Sequence, residues 1–170
     1  AVVCPNMTIN GILPNGMADV PYSASLMVVN SPIFPIWSVT NLPNGLSINA
    51  NTGEISGIPT VAGTFNITIT VKSSGCTTSK NYSLVVGCPM ITFNNISIPN
   101  TAVVGTPYNL DASASVVGNS SPIIYSMLSF LPSGLAINPS TGQISGIPRS
   151  SQSMDGYTVK ASQSNGCFKL

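Results

Sequence analysis

The amino-acid sequence predicts an all-β protein made of two tandem β-sandwich domains. Three observations support this prediction: one long segment occurs twice, apolar and polar residues alternate along several short segments, and turn residues separate those segments. Alternation with a period of two places successive side chains on opposite faces of a strand. No stretch shows the 3.6-residue periodicity of an amphipathic helix. We expect the two domains at residues 1–87 and 88–170, with about seven strands each.

The repeated segment is the strongest feature of the sequence. Residues 42–59 read LPNGLSINANTGEISGIP and residues 131–148 read LPSGLAINPSTGQISGIP, with thirteen of eighteen positions identical. The offset of 89 positions exceeds the period of about 20 to 50 residues that is typical of solenoid repeats. It matches the size of a small domain. The repeat therefore indicates two copies of one self-contained domain.

The composition of the repeated segment predicts turns rather than chemistry. Gly45, Gly53 and Gly57 lie where the chain must reverse or bulge, because glycine adopts positive φ at little cost. Between them, Leu46 and Ile48 alternate with polar residues, which predicts very short strands joined by an Asn-Thr-Gly turn. Hydroxyls and glycines supply no acid, base or metal ligand. We therefore interpret the segment as a rigid double turn at one end of a sandwich.

The other strands of the first domain follow in chain order. They are expected at residues 7–9, 22–30, 33–40, 64–72 and 80–86. The alternation is clearest in residues 64–72, where one face carries Phe65, Ile67, Ile69 and Val71. Residues 73–75 read Ser-Ser-Gly, which predicts a hairpin turn. About seven short strands with frequent turn signals are typical of a β-sandwich of immunoglobulin type.

Trp37 is the only tryptophan of the chain. It lies in the strand expected at residues 33–40, with Val39 on the same face. Its counterpart in the second copy is expected to be Tyr125. Because Trp37 lies in mid-strand between apolar neighbours, we interpret it as a core anchor rather than a sugar-stacking platform.

The second domain repeats this plan but ends differently. Its strands are expected at residues 91–98, 102–104, 108–117, 123–128 and 156–162, together with the repeated segment. Only three residues follow Cys167, whereas the residues that follow Cys76 build the last strand of the first domain. We therefore expect the second domain to lack most of its last strand. That strand could come from the continuation of a longer array, the favoured alternative, or from a neighbouring subunit.

The charge content excludes several classes of partner. The chain has five basic residues, four acidic residues and no histidine, for a net charge of +1. Such sparse charge gives no electrostatic footprint for nucleic acid or anionic lipid. No apolar run approaches the roughly 20 residues that cross a bilayer, so no membrane insertion is expected. A net charge near zero favours association, so we expect a homo-oligomer, filament neighbours or further repeats of the same chain as partners.

Catalysis is not expected either. No histidine is available as a general base, and the four acidic residues are scattered along the sequence. We therefore predict that the chain is not an enzyme and that it binds no cofactor and no metal.

Four cysteines occupy matching places in the two copies. Cys4 and Cys88 lie at the starts of the domains, and Cys76 and Cys167 follow the hairpin turns. Of the three possible pairings, Cys4–Cys76 with Cys88–Cys167 is the one that respects the repeat. Each disulfide would stabilise its domain by about 4 kcal/mol in the chain-entropy model. Disulfides imply an oxidising compartment, which predicts a secreted or cell-surface protein.

Two further sets of residues are candidates for surface roles. Asn-x-Ser/Thr sequons occur at Asn6, Asn66, Asn81, Asn95 and Asn119. Their number is about what chance predicts, but two of them, at positions 66 and 81, fall on outward strand faces and could carry glycans. The candidate ligand-facing aromatic residues are Phe34, Tyr125 and Phe130, although each is expected in the core rather than on a binding surface.

The repeated segment, with Val20-Pro21-Tyr22 before it and Ala62-Gly63-Thr64-Phe65 after it, resembles the Putative Ig domain family. That family comprises Ig-like and cadherin-like tandem repeats of microbial surface proteins. The resemblance implies a β-sandwich that serves as a spacer, stalk or adhesive module. Cadherin-like relatives often bind calcium at domain junctions, but residues 85–91 contain no carboxylate, so calcium binding is not expected.

The leading hypothesis is therefore a non-catalytic structural module of an extracellular or cell-surface fibre, stalk or adhesin. Such a module would belong to a longer tandem array or to a self-assembling filament in which one subunit donates a strand to the next. The alternative is an adhesion module that binds glycans or proteins through exposed aromatic residues.

Overall fold

The structure is a computed structural model that describes residues 4–31, 33–94, 101–118, 121–151 and 156–170. Among these residues it contains seventeen strands and no helix. The all-β prediction is therefore confirmed. The chain divides into two compact units, Ala1–Cys88 and Pro89–Leu170, so the division falls one residue after the predicted boundary.

The first unit has nine strands among its described residues. They are β1 (Thr8–Asn10), β2 (Gly16–Met17), β3 (Tyr22–Ser25), β4 (Met27–Val29), β5 (Ile36–Thr40), β6 (Leu46–Ile48), β7 (Glu54–Gly57), β8 (Gly63–Ser73) and β9 (Cys76–Gly87). Three sheets result, with strand orders β1-β4, β2-β9-β8-β5 and β3-β7-β6. All pairs are antiparallel except that of β2 with β9.

The core of the first unit lies between these sheets. Ile55 of β7, Ile67 and Ile69 of β8 and Leu84 of β9 are fully buried. Trp37 of β5 is also buried and belongs to the same cluster. The inward residues follow the predicted alternation, because β8 and β9 each present every second side chain to the core.

The strand predicted at residues 22–30 is interrupted at Leu26, so that prediction is wrong in detail. β3 pairs with β7, whereas β4 pairs with β1 in another sheet. Leu26 is buried between the two segments. The alternation of buried and more exposed side chains continues across the break, and therefore the two-residue period gave no sign that the chain changes sheets here.

β8 and β9 form the longest hairpin of the protein. Eleven residue pairs connect them, from Gly63↔Val86 to Ser73↔Cys76. The two turn residues, Ser74 and Gly75, have φ angles of 49° and 82°. Positive φ at both positions is the geometry of a type I′ turn, which matches the twist of the flanking strands. β9 begins at Cys76, four residues before the predicted start.

The second unit has eight strands among its described residues. They are β10 (Ile91–Phe93), β11 (Tyr108–Asp111), β12 (Ala114–Val116), β13 (Ile124–Met127), β14 (Leu135–Ile137), β15 (Gln143–Gly146), β16 (Val159–Ser162) and β17 (Phe168–Lys169). The strand orders are β10-β12, β11-β15-β14 and β13-β16-β17. The strand predicted at residues 102–104 is not formed, and residues 95–98 of the first predicted strand lie outside the described residues.

The repeated segment forms a close crossing of two backbone stretches in both units. A Cβ added at Gly57 would lie 2.1 Å from the carbonyl oxygen of Gly45, and a Cβ added at Gly45 would lie 1.9 Å from that of Ile58. Gly146 and Gly134 repeat this arrangement. The crossing explains why glycine occurs at these positions of both copies: no side chain fits between the two backbones.

Candidate functional site

The first unit shows how the edge of the larger sheet is completed. β9 lies beside β8 along its whole length, and its last residues pair with β2 in parallel. The amide of Ala18 donates a hydrogen bond to the carbonyl of Gly87 at 2.9 Å. Leu84 and Val86 of β9 are buried. This strand therefore supplies both main-chain hydrogen bonds and two core side chains.

The same edge is open in the second unit. β17 contains two residues, and it pairs with β16 only at Ala161 and Ser162. The other two residues of β16, Val159 and Lys160, pair with β13 on one side. On the other side, the register of β16 with β17 places Leu170 opposite Lys160, and no described strand lies opposite Val159. Among the described residues, Val159 thus has a strand neighbour on one side only.

In the first unit, β2 and Ala18 lie beside this edge. The corresponding residues of the second unit, 102–104, have a different environment. The amides of Asp19 and Gly105 donate equivalent hydrogen bonds to the carbonyls of Pro59 and Pro148. Val104 thus corresponds to Ala18. Ala18 is 0% exposed, whereas Val104 is 48% exposed. The second unit therefore presents apolar surface where the first has a completed core.

All four cysteines are disulfide-bonded. Cys4 is bonded to Cys76, with a Cα–Cα distance of 5.5 Å. Since the chain has four cysteines, the partner of Cys88 is Cys167. The first bond joins the start of the first unit to the first residue of β9, and the second joins the residue after β9 to the residue before β17.

The three candidate aromatic residues have different environments. Tyr125 is buried, and its hydroxyl accepts a hydrogen bond from the amide of Ala114 at 2.8 Å. A ligand-facing role for Tyr125 is therefore wrong, because its ring fills the core position that Trp37 fills in the first unit. Phe34 is 86% exposed and Phe130 is 98% exposed. The expectation that these two rings lie in the core is wrong.

Phe34 borders an open cavity at one end of the first unit. The cavity has a volume of about 430 Å³ and is lined by Phe34, Ile36, Lys72 and the hairpin residues 73–77. Phe34 has a φ of 37°, which is uncommon for a residue with a side chain. The preceding residue, Ile33, is held by Ser73, whose hydroxyl donates to the Ile33 carbonyl and accepts from the Ile33 amide. This loop is thus tied to the hairpin.

The sequence matches the family described as Putative Ig domain over residues 7–87 and again over residues 90–169. The two matches together span nearly the whole chain. The chain belongs to this family. Its two units are Ig-like domains in tandem, and their sheets and core are those of the β-sandwich that the sequence predicts. No curated protein sequence matches the chain.

Several solved structures resemble the tandem Ig-like domains at low identity. An endo-fucoidan hydrolase of glycoside hydrolase family 107 is 16% identical with a TM-score of 0.45, over 99% of this chain and 28% of that chain. A putative alpha-galactosidase/melibiase from Bacteroides fragilis is 20% identical with a TM-score of 0.42, over 46% and 17%. Domains EC1-2 of human protocadherin-24 are 18% identical with a TM-score of 0.36, over 92% and 89%. The chain thus spans less than a third of the length of the two hydrolase chains it resembles.

Two sequons of the first Ig-like domain lie opposite each other on neighbouring strands. Asn66 pairs with Ser83, and Thr68 pairs with Asn81. The hydroxyl of Thr68 donates a hydrogen bond to the Asn81 side chain at 2.9 Å. Both asparagines are exposed, as is Asn6, and their glycosylation stays a prediction. Asn95 and Asn119 lie outside the described residues.

The described residues of the Ig-like domains contain no group of three or more histidine, cysteine, aspartate or glutamate side chains that could hold a metal ion. Glu54 accepts a hydrogen bond from the Ser23 hydroxyl, and Asp111 accepts one from the amide of Ser113. Both carboxylates thus serve local structure. No described helix is long and apolar enough to cross a membrane.

Proposed function

We propose that this chain is a non-catalytic structural module of an extracellular fibre, stalk or adhesin, and that the second domain binds one further β-strand. The single observation that carries the proposal is the incomplete edge at Val159 of β16, together with the exposed side chains of Val103 and Val104. An added strand gains main-chain hydrogen bonds from such an edge, and its alternate side chains enter the core. One domain is thereby joined to the next.

The first domain indicates what kind of strand fits. In the equivalent place β9 is antiparallel to β8 and parallel to β2. Its inward residues are Tyr82, Leu84 and Val86. They alternate with the exposed residues Asn81, Ser83 and Val85. A strand of this pattern would cover Val104 and pair with Val159. Such a strand is supplied either by chain that continues beyond Leu170 or by a neighbouring molecule.

The location follows from the cysteines. Two disulfides in a chain of this size are stable in an oxidising compartment and are rare in the cytosol. Together with membership of a family of tandem Ig-like domains, they support a place outside the cell. Homo-oligomers, filament neighbours or further repeats are accordingly the proposed partners.

The proposal is tested by giving the second domain its own last strand. Alignment of Cys167 with Cys76 places Leu170 opposite Ser79, so the residues of 80–87, KNYSLVVG, are appended after Leu170. The matched control carries serine in place of the three inward apolar residues. We expect the apolar extension to raise the melting temperature of the second domain and to slow amide exchange at Val159, whose N–H faces the added strand because successive N–H groups of a strand point to opposite sides. Equal behaviour of the two extensions would contradict the proposal.

The same pair of chains reports on assembly. If molecules join through the open edge, the apolar extension occupies that edge and lowers the association measured by light scattering. The serine control leaves association unchanged. Association that is unaffected by the apolar extension would show that contacts elsewhere join the molecules.

A second candidate function is carbohydrate adhesion at Phe34. The exposed ring and the cavity beside it, with Lys72 and the hairpin hydroxyls in its wall, have the aromatic and polar groups that a sugar ring contacts. A glycan array tests this candidate. We expect binding that is lost in Phe34→Ala and kept in Phe130→Ala. Absence of any glycan signal would remove the candidate.

A further inference from the structure

The two disulfides and β9 form one continuous covalent path through the chain. Cys4 is bonded to Cys76, the first residue of β9. β9 ends at Gly87, and the next residue is Cys88. Cys88 is bonded to Cys167. A path from Cys4 to Cys167 therefore runs through two disulfides and the 12 residues of a single strand.

We propose that this path is a spine that carries tension, so that both domains are inextensible while the disulfides are intact. Residues 5–75 and residues 89–166 lie in loops that the disulfides close. Force applied at the two ends of the chain passes through the spine and bypasses both loops. Unfolding of either sandwich then adds no length between the ends. The proposed function supplies the source of tension, since a fibre or stalk is pulled along its length.

The loops that the disulfides close contain far more chain length than the spine can gain by stretching. β9 is already extended, because a strand rises about 3.3 Å per residue and a fully stretched chain reaches at most about 3.6 Å per residue. The spine thus has a slack of only a few ångströms. In contrast, 72 positions separate Cys4 from Cys76. Release of that loop would add about 250 Å, and release of the second loop about 270 Å.

The connection between the two disulfides contains no linker. Gly87 still pairs with Met17, and the following residue is already the cysteine of the next bond. The residues around this point, Val85 to Pro89, resemble Ala1 to Pro5 in sequence. Further repeats of the same design would therefore extend the spine by one strand and one disulfide each, again without slack.

Single-molecule force spectroscopy tests the spine directly. The full chain is pulled by handles attached before Ala1 and after Leu170, with and without a reductant. We expect no extension step longer than about 20 Å in the oxidised protein, given the few ångströms of slack in an extended strand. The reduced protein should gain about 250 Å and about 270 Å. Steps of that size in the oxidised protein would overturn the proposal.

Two double variants assign each gain to its disulfide. Cys4→Ala with Cys76→Ala should release only the shorter length, and Cys88→Ala with Cys167→Ala only the longer one. If a variant domain fails to fold, the same length appears as a smooth extension without a force peak, so the gain stays measurable. An unchanged end-to-end length in either variant would overturn the proposal. Single molecules are pulled, so the result is independent of whether the chain assembles into fibres.

Discussion

Gly53 lies against the indole ring of Trp37, so closely that a Cβ added to the glycine would be 2.6 Å from Cε2 of the ring. The second domain repeats this contact, where a Cβ at Gly142 would be 2.9 Å from Cδ1 of Tyr125. Both glycines have positive φ, 74° and 76°. The Thr-Gly pair of the repeated segment thus recurs because an aromatic ring of a nearby strand occupies the space of a side chain.

Gly53→Ala is expected to destabilise the first domain by about 3 kcal/mol, from the left-handed backbone and the displacement of the indole ring. Gly75→Ala is the matched control. Gly75 also has a positive φ of 82°, but nothing lies within 4 Å of an added Cβ. Its cost should be only about 1 kcal/mol. Urea unfolding, followed by the fluorescence of Trp37, measures the free energy of unfolding of both variants. Equal losses of stability in the two variants would contradict the ring contact.

Gly57→Ala is expected to destabilise the first domain more than Gly53→Ala does, because the added Cβ would meet backbone rather than a movable side chain. The clashing atom is the carbonyl oxygen of Gly45, at 2.1 Å. We expect the first domain to lose its native sheet signal in circular dichroism at room temperature. Gly87→Ala is the control, since its nearest neighbour, the Gly16 oxygen, lies at 3.8 Å. A folded Gly57→Ala domain with native stability would show that the crossing can open.

Trp37→Tyr is expected to be tolerated, because the second domain places Tyr125 in the equivalent core position. The loss should be about 1.5 kcal/mol, whereas Trp37→Ala should lose about 3–5 kcal/mol through the cavity it leaves. Thermal unfolding by calorimetry measures both variants without a tryptophan signal. Similar losses in the two variants would mean that the ring is not a core anchor.

The sequence predicted the parts of the fold that depend on local pattern. The alternation along β8 follows directly from strand geometry. The glycines at positions 53 and 142 follow from the positive φ that the turn requires. The parallel pairing of β2 with β9 was not predicted, because two residues are too short to show a pattern. The change of sheet at Leu26 was missed because burial continues across it.

The candidate site was predicted in part. The shortness of the last strand could be read from the number of residues after Cys167, since the first domain supplies a complete copy for comparison. The exposure of Val104 depends on which strand lies beside it, and that is a long-range property. Phe34 and Phe130 were expected in the core because large aromatic residues are usually buried, but both lie in loops between strands, where no sheet covers them.

Ser73→Ala is expected to free the loop that carries Phe34. The Ser73 hydroxyl is hydrogen-bonded to both the amide and the carbonyl of Ile33. Its removal should lower the free energy of unfolding by about 1–2 kcal/mol. Hydrogen exchange at Ile33 should accelerate, while exchange in the centre of β8 stays slow. Ser83→Ala, on the outward face of β9, is the control and should leave Ile33 unchanged. Unaltered exchange at Ile33 in Ser73→Ala would show that the hairpin does not hold this loop.

In the second domain, the side chain of Gln163 holds the loop that corresponds to the Phe34 loop of the first domain. The Nε2 of Gln163 donates a hydrogen bond to the carbonyl of Ser121 at 2.8 Å, in the loop that corresponds to residues 31–35. Gln163→Ala should therefore loosen that loop as Ser73→Ala loosens its counterpart, with faster amide exchange at Ser121 and Ile123. A measurement in which only Ser73→Ala has an effect would mean that the two domains hold their loops in different ways.

The most direct test of the structural role is cryo-electron microscopy of the native material. We predict a fibre or a stalk in which an extended strand lies beside Val159 and covers Val104, with density that traces the strand to its source. Dispersed single molecules in which this edge of the second domain is bare would contradict the account.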